Sequence, residues 1–502
     1  MMSGTTNMSG SHRVSSSPWA PEERPVLRRV AIVGGALVAV AAILVGGTLV
    51  HPEAATVTPA RSALVGRTSY VCTAGPQAGG TSSIAAVAVR QGLGGAGTLV
   101  GSPLGADQPP APNQLKVTEP GKGAQLGAAR APVVLQAEGP MATGSIGVVV
   151  GTASQGVDAG LSAAPCLAPG TQHWFSGVGA GEADRTELIL TNPDDTQAEV
   201  DLRFFGRRGR VAVPGSPGVI VEARSSRTVS LSTLDPADGP FSVEVSASAG
   251  RVSAVARRSR TDNLTPAGVD WQLPTTLPSI SAVIPGVPED DGARELFVTN
   301  PGPGRATVQV RVLGLQGPVA PLGAESVEVG PESTKSVDLA PGLAGEAGAI
   351  ELTSDQPVTA SVVSSSRRIG AGSDLAVQSA AAPLIRTGVS ALATTDAGAS
   401  ELMVSNGGDT DAPLTFDVLS YDGVTLRTDE VLVAAHSTAT RRLNSPAPSY
   451  LVVTVPDRSA VVGGLVLTQP DGDVAGLATL PLVSPDLARR APVTVPDPGA
   501  GR

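Results

Sequence analysis

Ten residues written three times constrain this chain more than any other feature. TELILTNPDD (186–195), RELFVTNPGP (294–303) and SELMVSNGGD (400–409) align on Asn192, Asn300 and Asn406, which lie 108 and 106 residues apart. The likeness runs on downstream. AEVDLRFFGRRGRV, ATVQVRVLGLQGPV and APLTFDVLSYDGVT each alternate apolar and polar residues and then reach a glycine-containing bend. Alternation with period two marks a half-buried strand. Further strand–turn–strand patterns complete each unit, giving roughly six to eight short strands at about 8–12-residue spacing and no helical period. A weaker fourth copy lies upstream, where SIGVVVGTASQGVDAGLSAAPCLAP (145–169) parallels the stretches at 252–278 and 461–482.

These units predict an all-β chain of tandem immunoglobulin-like sandwiches over 60–166, 167–281, 282–384 and 385–487, strung as a semi-rigid rod. A propeller blade of about 40–50 residues is too short for this period. The repeated Asn-Pro reads as a strand end. The Asn side chain bonds backbone two residues on, and Pro cannot donate to a ladder. Asn406-Gly407 in the third copy is also a turn pair. The repeat therefore marks duplication rather than a site. Apolar residues at 41% suffice for cores that, with aromatics at 2%, must be built from Val, Leu, Ala and Ile. The 60 Gly and 43 Pro supply the turns.

Residues 30–50, VAIVGGALVAVAAILVGGTLV, carry no charge. As a helix they would span roughly 31 Å, the thickness of a hydrocarbon core. Arg24, Arg28 and Arg29 precede the run, so the positive-inside rule keeps 1–29 in the cytoplasm as a disordered tail. The expectation is an uncleaved transmembrane signal anchor, a 51–59 linker, extracytoplasmic sandwiches and a disordered 488–502 tail. A cleaved signal peptide is the competing reading. In an oxidising compartment Cys72 and Cys166, the chain's two cysteines, are expected to pair. Two buried thiols are the alternative.

A net charge of −10 argues against nucleic acid as a partner, since phosphate contacts need a basic footprint. GLGGAG at 92–97 copies a dinucleotide fingerprint but lacks the helix that must follow it, so it reads as a loop. No GxSxG or HExxH occurs, and the sequence assigns no catalytic residue, metal or cofactor. An unrecognised hydrolase would have to draw on His173 or His436. Acidic pairs such as Asp290/Asp291 read as solvated turns, with weak calcium binding as a minor alternative. One concentration of arginines stands out: Arg207, Arg208 and Arg210, then Arg257, Arg258 and Arg260. Guanidinium forks suit phosphate and carboxylate, so these six form a possible anion-binding site for a glycan or headgroup. Against it, residues 167–281 hold 11 Arg and 13 Asp or Glu. Trp174 and Trp271 bracket the same unit, as sugar platforms if exposed and as packing if buried.

The stretch PCLAPGTQHWFSGVGAGEADRTELILTNPDDTQAEVDLRFFGRRGRV (165–211) resembles an actinobacterial envelope family catalogued as domain of unknown function 5719. Its Cys-then-Trp, Gly-rich turn and L-x-L-x-N-P strand end carry the resemblance, together with TSYVCTAG near the start of the first unit. Here Tyr70-Val71 stands before the first Cys where family members often carry Trp-Tyr. The resemblance implies a membrane-tethered, extracytoplasmic role with no assigned activity, near envelope glycan assembly. The sequence thus leads to a non-enzymatic envelope scaffold or binding protein, whose partners would be an envelope glycan or a membrane glycosyltransferase. The alternative is an accessory subunit of a glycosyltransferase or polysaccharide exporter, with the anchor helix in the interface.

Overall fold

A computed structural model describes residues 62–492 except 76–79, 91–95, 106–113, 128–129, 233, 236–237, 264, 291, 367–371, 393–398, 444–447, 470–475 and 486–489, together with Gly35, Val38 and Ala41. The anchor, the cytoplasmic tail and the linker therefore lie outside the described residues, apart from those three, which are helical. Among the described residues no helix is long and apolar enough to cross a membrane. Arg490–Pro492, inside the expected C-terminal tail, forms a short strand. Residues 62–491 form one compact unit, and the account below concerns it.

The strands group into four sandwiches, I to IV, over 67–165, 172–272, 279–379 and 387–481. Numbered one to eight within a unit, with the fourth strand in two pieces in unit II (Gly209–Val211, Val219–Val221) and unit III (Gly317–Val319, Ser326–Val329), the strands make one sheet in the order 1-6-3-4 and a second in the order 5-2-7-8. The divergent first unit follows the same order as the rest. In unit III strands six and seven are one continuous strand, Gly348–Ser365, that pairs into both sheets. The immunoglobulin arrangement sets strand two between one and five. Here it lies between five and seven, so the sandwich is as expected and its strand order is not the immunoglobulin one.

The two sheets differ in burial, and the difference builds the molecule. Third strands alternate, as in Ala198–Gly206 and Ala306–Gly314, because one face meets the core and the other solvent. Second, seventh and eighth strands are buried on both faces, as in Ser145–Ala153 and Gly160–Pro165. Their inner faces fill the sandwich and their outer faces pack on the neighbouring unit. Val255, Trp271 and Leu273 of unit II thus join the core of unit I. Met403, Val466 and Leu477 of unit IV meet Ala347 and Ala376 of unit III. Phe297 of unit III presses against Gly177 of unit II.

The fourth seam overturns the rod. Ala85, Val87, Ile146, Val148 and Leu161 on the outer face of unit I share one apolar core with unit IV. Gly123 donates its N–H to the Tyr421 carbonyl at 2.9 Å, and the Tyr450 hydroxyl donates to the Gly121 carbonyl at 2.8 Å across the same seam. The four units close into a ring because the first one carries an apolar face that only the last one covers.

The eighth strands, Gly160–Pro165, Thr265–Gln272, Leu375–Ser379 and Gly476–Pro481, lie side by side around the ring axis. Asp374 sits among them with no exposed surface. Its Oδ2 accepts the N–H groups of Leu161 at 2.7 Å and Leu477 at 2.9 Å. Its Oδ1 accepts those of Val269 at 3.1 Å and Leu375 at 2.9 Å. One carboxylate therefore binds backbone from all four units. Gly160 and Gly268 hold the equivalent positions in units I and II, where φ is +143° and +114° and an added Cβ would run into that carboxylate.

Candidate functional site

Most of the residues singled out in the sequence between 62 and 485 lie among the described ones. Cys72 ends the first strand of unit I and forms a disulfide with Cys166, just past the eighth. The three repeated asparagines are buried staples. Asn300 Oδ1 accepts the Gly302 N–H at 3.0 Å, as the sequence suggested, while its Nδ2 donates to the carbonyls of Gly304 at 2.6 Å and Gly330 at 2.9 Å. Asn192 and Asn406 repeat the pattern, each tying its own turn to a second turn across the sandwich.

The six arginines are not gathered into one anion site. Arg207, Arg208 and Arg210 sit at the hairpin of strands three and four. There Arg207 donates to the Gly239 carbonyl, Arg208 pairs with Asp238 and Arg210 reaches Glu332 of unit III. Arg257, Arg258 and Arg260 lie on strand seven, in the other sheet. Arg258 is buried, forks onto Asp184, donates to the Gly177 carbonyl and stacks on Phe297. Burial alone would raise the Asp184 carboxyl, but Arg258 and Arg260 draw it down to about 2. Every one of the six already has a carboxylate or carbonyl partner, so the arrangement lends the anion reading no support.

Among the described residues, neither His173 nor His436 hydrogen-bonds a Ser, Thr or Cys side chain. His173 Nε2 lies 2.9 Å from the Val252 carbonyl oxygen, and burial holds the ring below its ordinary pKa. His436 bridges Asp409 and, across the III–IV seam, Glu351. Among the described residues no cluster of His, Cys, Asp and Glu has metal-site geometry. Most of GLGGAG lies outside the described residues, and the chain continues into strand Thr98–Pro103 rather than a helix. Asp291 is also outside them, while the Asp290 Oδ1 accepts the Gly292 N–H within a turn.

Trp174 and Trp271 are largely buried, at 4% and 6% exposure. Trp271 nevertheless lines a cavity of about 320 Å³ at the seam between units I and II, with Asp158, Ser162, Glu187, Thr228 and Arg257. Strand register sets these groups side by side, since Glu187 pairs with Arg257 and Arg257 with Trp271 on the outer face of the 5-2-7-8 sheet. Arg257 is forked between Asp158 of unit I and Glu187, the latter at 3.2 Å. A second, polar cavity of about 350 Å³ lies in the same seam, between Arg67, Gln136, Asp194 and Arg251. Sequence reasoning singles out Trp271 and Arg257 separately. What it lacks is the cross-strand register that joins them and the contribution of Asp158 from another unit.

No curated protein matches this chain. Residues 118–444 match the profile described as Family of unknown function (DUF5719), which begins inside unit I and ends inside unit IV. With about two thirds of its length so matched, the chain belongs to that family of unknown function, DUF5719.

Proposed function

We propose that this protein is a non-enzymatic binding scaffold of the cell envelope, tethered by residues 30–50 and presenting the four-unit ring outside the membrane. The observation that carries the reading is ring closure on Asp374. Four sandwiches bound to one buried carboxylate hold their outward sheets and seams in fixed relation, which suits recognition rather than reach. The Cys72–Cys166 disulfide supports an oxidising compartment, and the uncharged run at 30–50 supports the tether.

The test uses the full chain with a C-terminal tag in intact cells. Surface biotinylation is expected to label the ring without cell lysis, and in-cell crosslinking is expected to recover envelope glycan fragments. A ring protected from the reagent until lysis overturns the placement. Recovery of one stoichiometric membrane glycosyltransferase or exporter overturns the free scaffold in favour of the accessory subunit.

A further inference from the structure

Three seams of the ring repeat the same strand positions, and one of them is filled differently. On strands two, seven and eight, unit III places Phe297, Val363 and Val377 against unit II, closed into an apolar cluster with Leu375. Unit IV places Met403, Val466 and Thr479 at those positions, again with Met403 and Val466 in an apolar cluster. Unit II places Ile189, Arg257 and Trp271 there, and the result is the cavity of about 320 Å³. The sister seams keep a cavity of about 220 Å³ lined by Val377 and Thr479, and the Arg258–Asp184 pair lies against Phe297, but among these nine positions Arg257 alone is charged, and the ion triad it forms is a poor way to gain stability. A departure of this kind from a repeated pattern is where function is expected.

We infer that the I–II seam cavity is a binding site for a single neutral sugar ring. This deepens the binding reading proposed above and rests on it. Arg257 has its charge offset by both Asp158 and Glu187, so the cavity does not attract anions. One guanidinium against two carboxylates leaves the triad at −1, yet each carboxylate already holds an Arg257 N–H group, so a cation would have to displace that ion pair. What remains is a mixture of donors and acceptors: guanidinium N–H groups, carboxylate lone pairs and the hydroxyls of Ser162 and Thr228. Sugar hydroxyls, each donor and acceptor at once, match such a mixture. Trp271, 6% exposed and packed in the unit I core, contributes part of the cavity's apolar wall, against which the C–H face of a sugar can lie. The volume lies at the lower end of small-molecule sites, which suits one ring rather than an extended chain.

The experiment is saturation-transfer NMR on the full chain in detergent micelles. The neutral probes are the methyl glycosides of glucose, galactose, mannose and arabinose, with glucuronate as the anionic and glucosamine as the cationic comparison. At least one neutral glycoside is expected to bind. Ile189→Phe, which copies Phe297 of the neighbouring seam, is expected to keep the fold and weaken that binding by at least about tenfold. Thr228→Val, on an exposed strand face, provides a second variant should the first fail to fold, with a smaller loss expected. Preference for glucuronate or for glucosamine overturns the proposal, and so does neutral binding unchanged in both variants. If no probe binds while crosslinking still recovers envelope glycan, the cavity proposal fails and the scaffold reading stands. If crosslinking also recovers no glycan, both fail.

Discussion

At the residue scale, the most informative side chain is the repeated asparagine. Half of its role is readable from sequence, because the Oδ1 contact to the N–H two residues on is a local habit of Asn. The other half is not, since the second turn that Nδ2 holds lies 30 residues away in the chain for Asn300. Asn300 is fully buried, so Asn300→Ala leaves the Gly304 and Gly330 carbonyls and the Gly302 N–H without their partner. A loss of about 2–4 kcal/mol is expected in urea unfolding. Asn300→Asp should be worse than Ala, as it sets a carboxylate against those carbonyls. An Ala variant as stable as the parent would show that the staple is incidental. Sequence reasoning misses Asp374 altogether. A lone Asp in AGSDLAV reads as a loop residue, and nothing local announces that three other units converge on it.

At the element scale, the contrast between strand types is legible in the sequence itself. Third strands alternate cleanly, and that alternation correctly signals sandwiches. The runs SSIAAVAV and SIGVVVG in unit I do not alternate, and near-continuous apolar runs signify a strand covered on both faces. Given its proper weight, that signal argues against a rod, whose sandwiches would meet only end to end. The same unit carries the disulfide, which joins its first strand to the residue after its last and closes a separation of 94 residues. Replacing both cysteines by serine is expected to lower stability by roughly 4–5 kcal/mol in the chain-entropy picture. Amide exchange should rise first along Arg67–Cys72, an edge strand of its sheet. Equal loss of protection in all four units would instead mean that unit I does not open on its own.

At the scale of the whole molecule, the ring axis makes stability depend on pH. Burial pushes the Asp374 carboxyl from 3.8 up to about 7 despite its four N–H donors, and burial likewise raises Asp270, which accepts the Ala163 and Val377 N–H groups beside it. In the unfolded chain both ionise near the ordinary carboxylate value, about 4. The Asp374 contribution is therefore intact below about pH 4 and is lost as pH rises through about 7, and Asp270 acts in the same direction. Asp184, drawn down to about 2, acts oppositely and only at lower pH. The melting temperature of the full chain is expected to fall between about pH 4 and 7. Asp374→Asn, which turns an amide against two of the four donors, should melt lower throughout and show a shallower slope. A parent profile that is flat over that interval would mean the axis carboxylates are not held as burial requires. The closed ring has one more consequence, in time rather than space. Unit I is synthesised first and unit IV last, yet the outer face of unit I at Ala85, Val87, Ile146 and Val148 is covered by unit IV. Throughout the emergence of units II and III that sticky face is bare, so the growing chain must be shielded, or kept from its neighbours, until its own far end arrives.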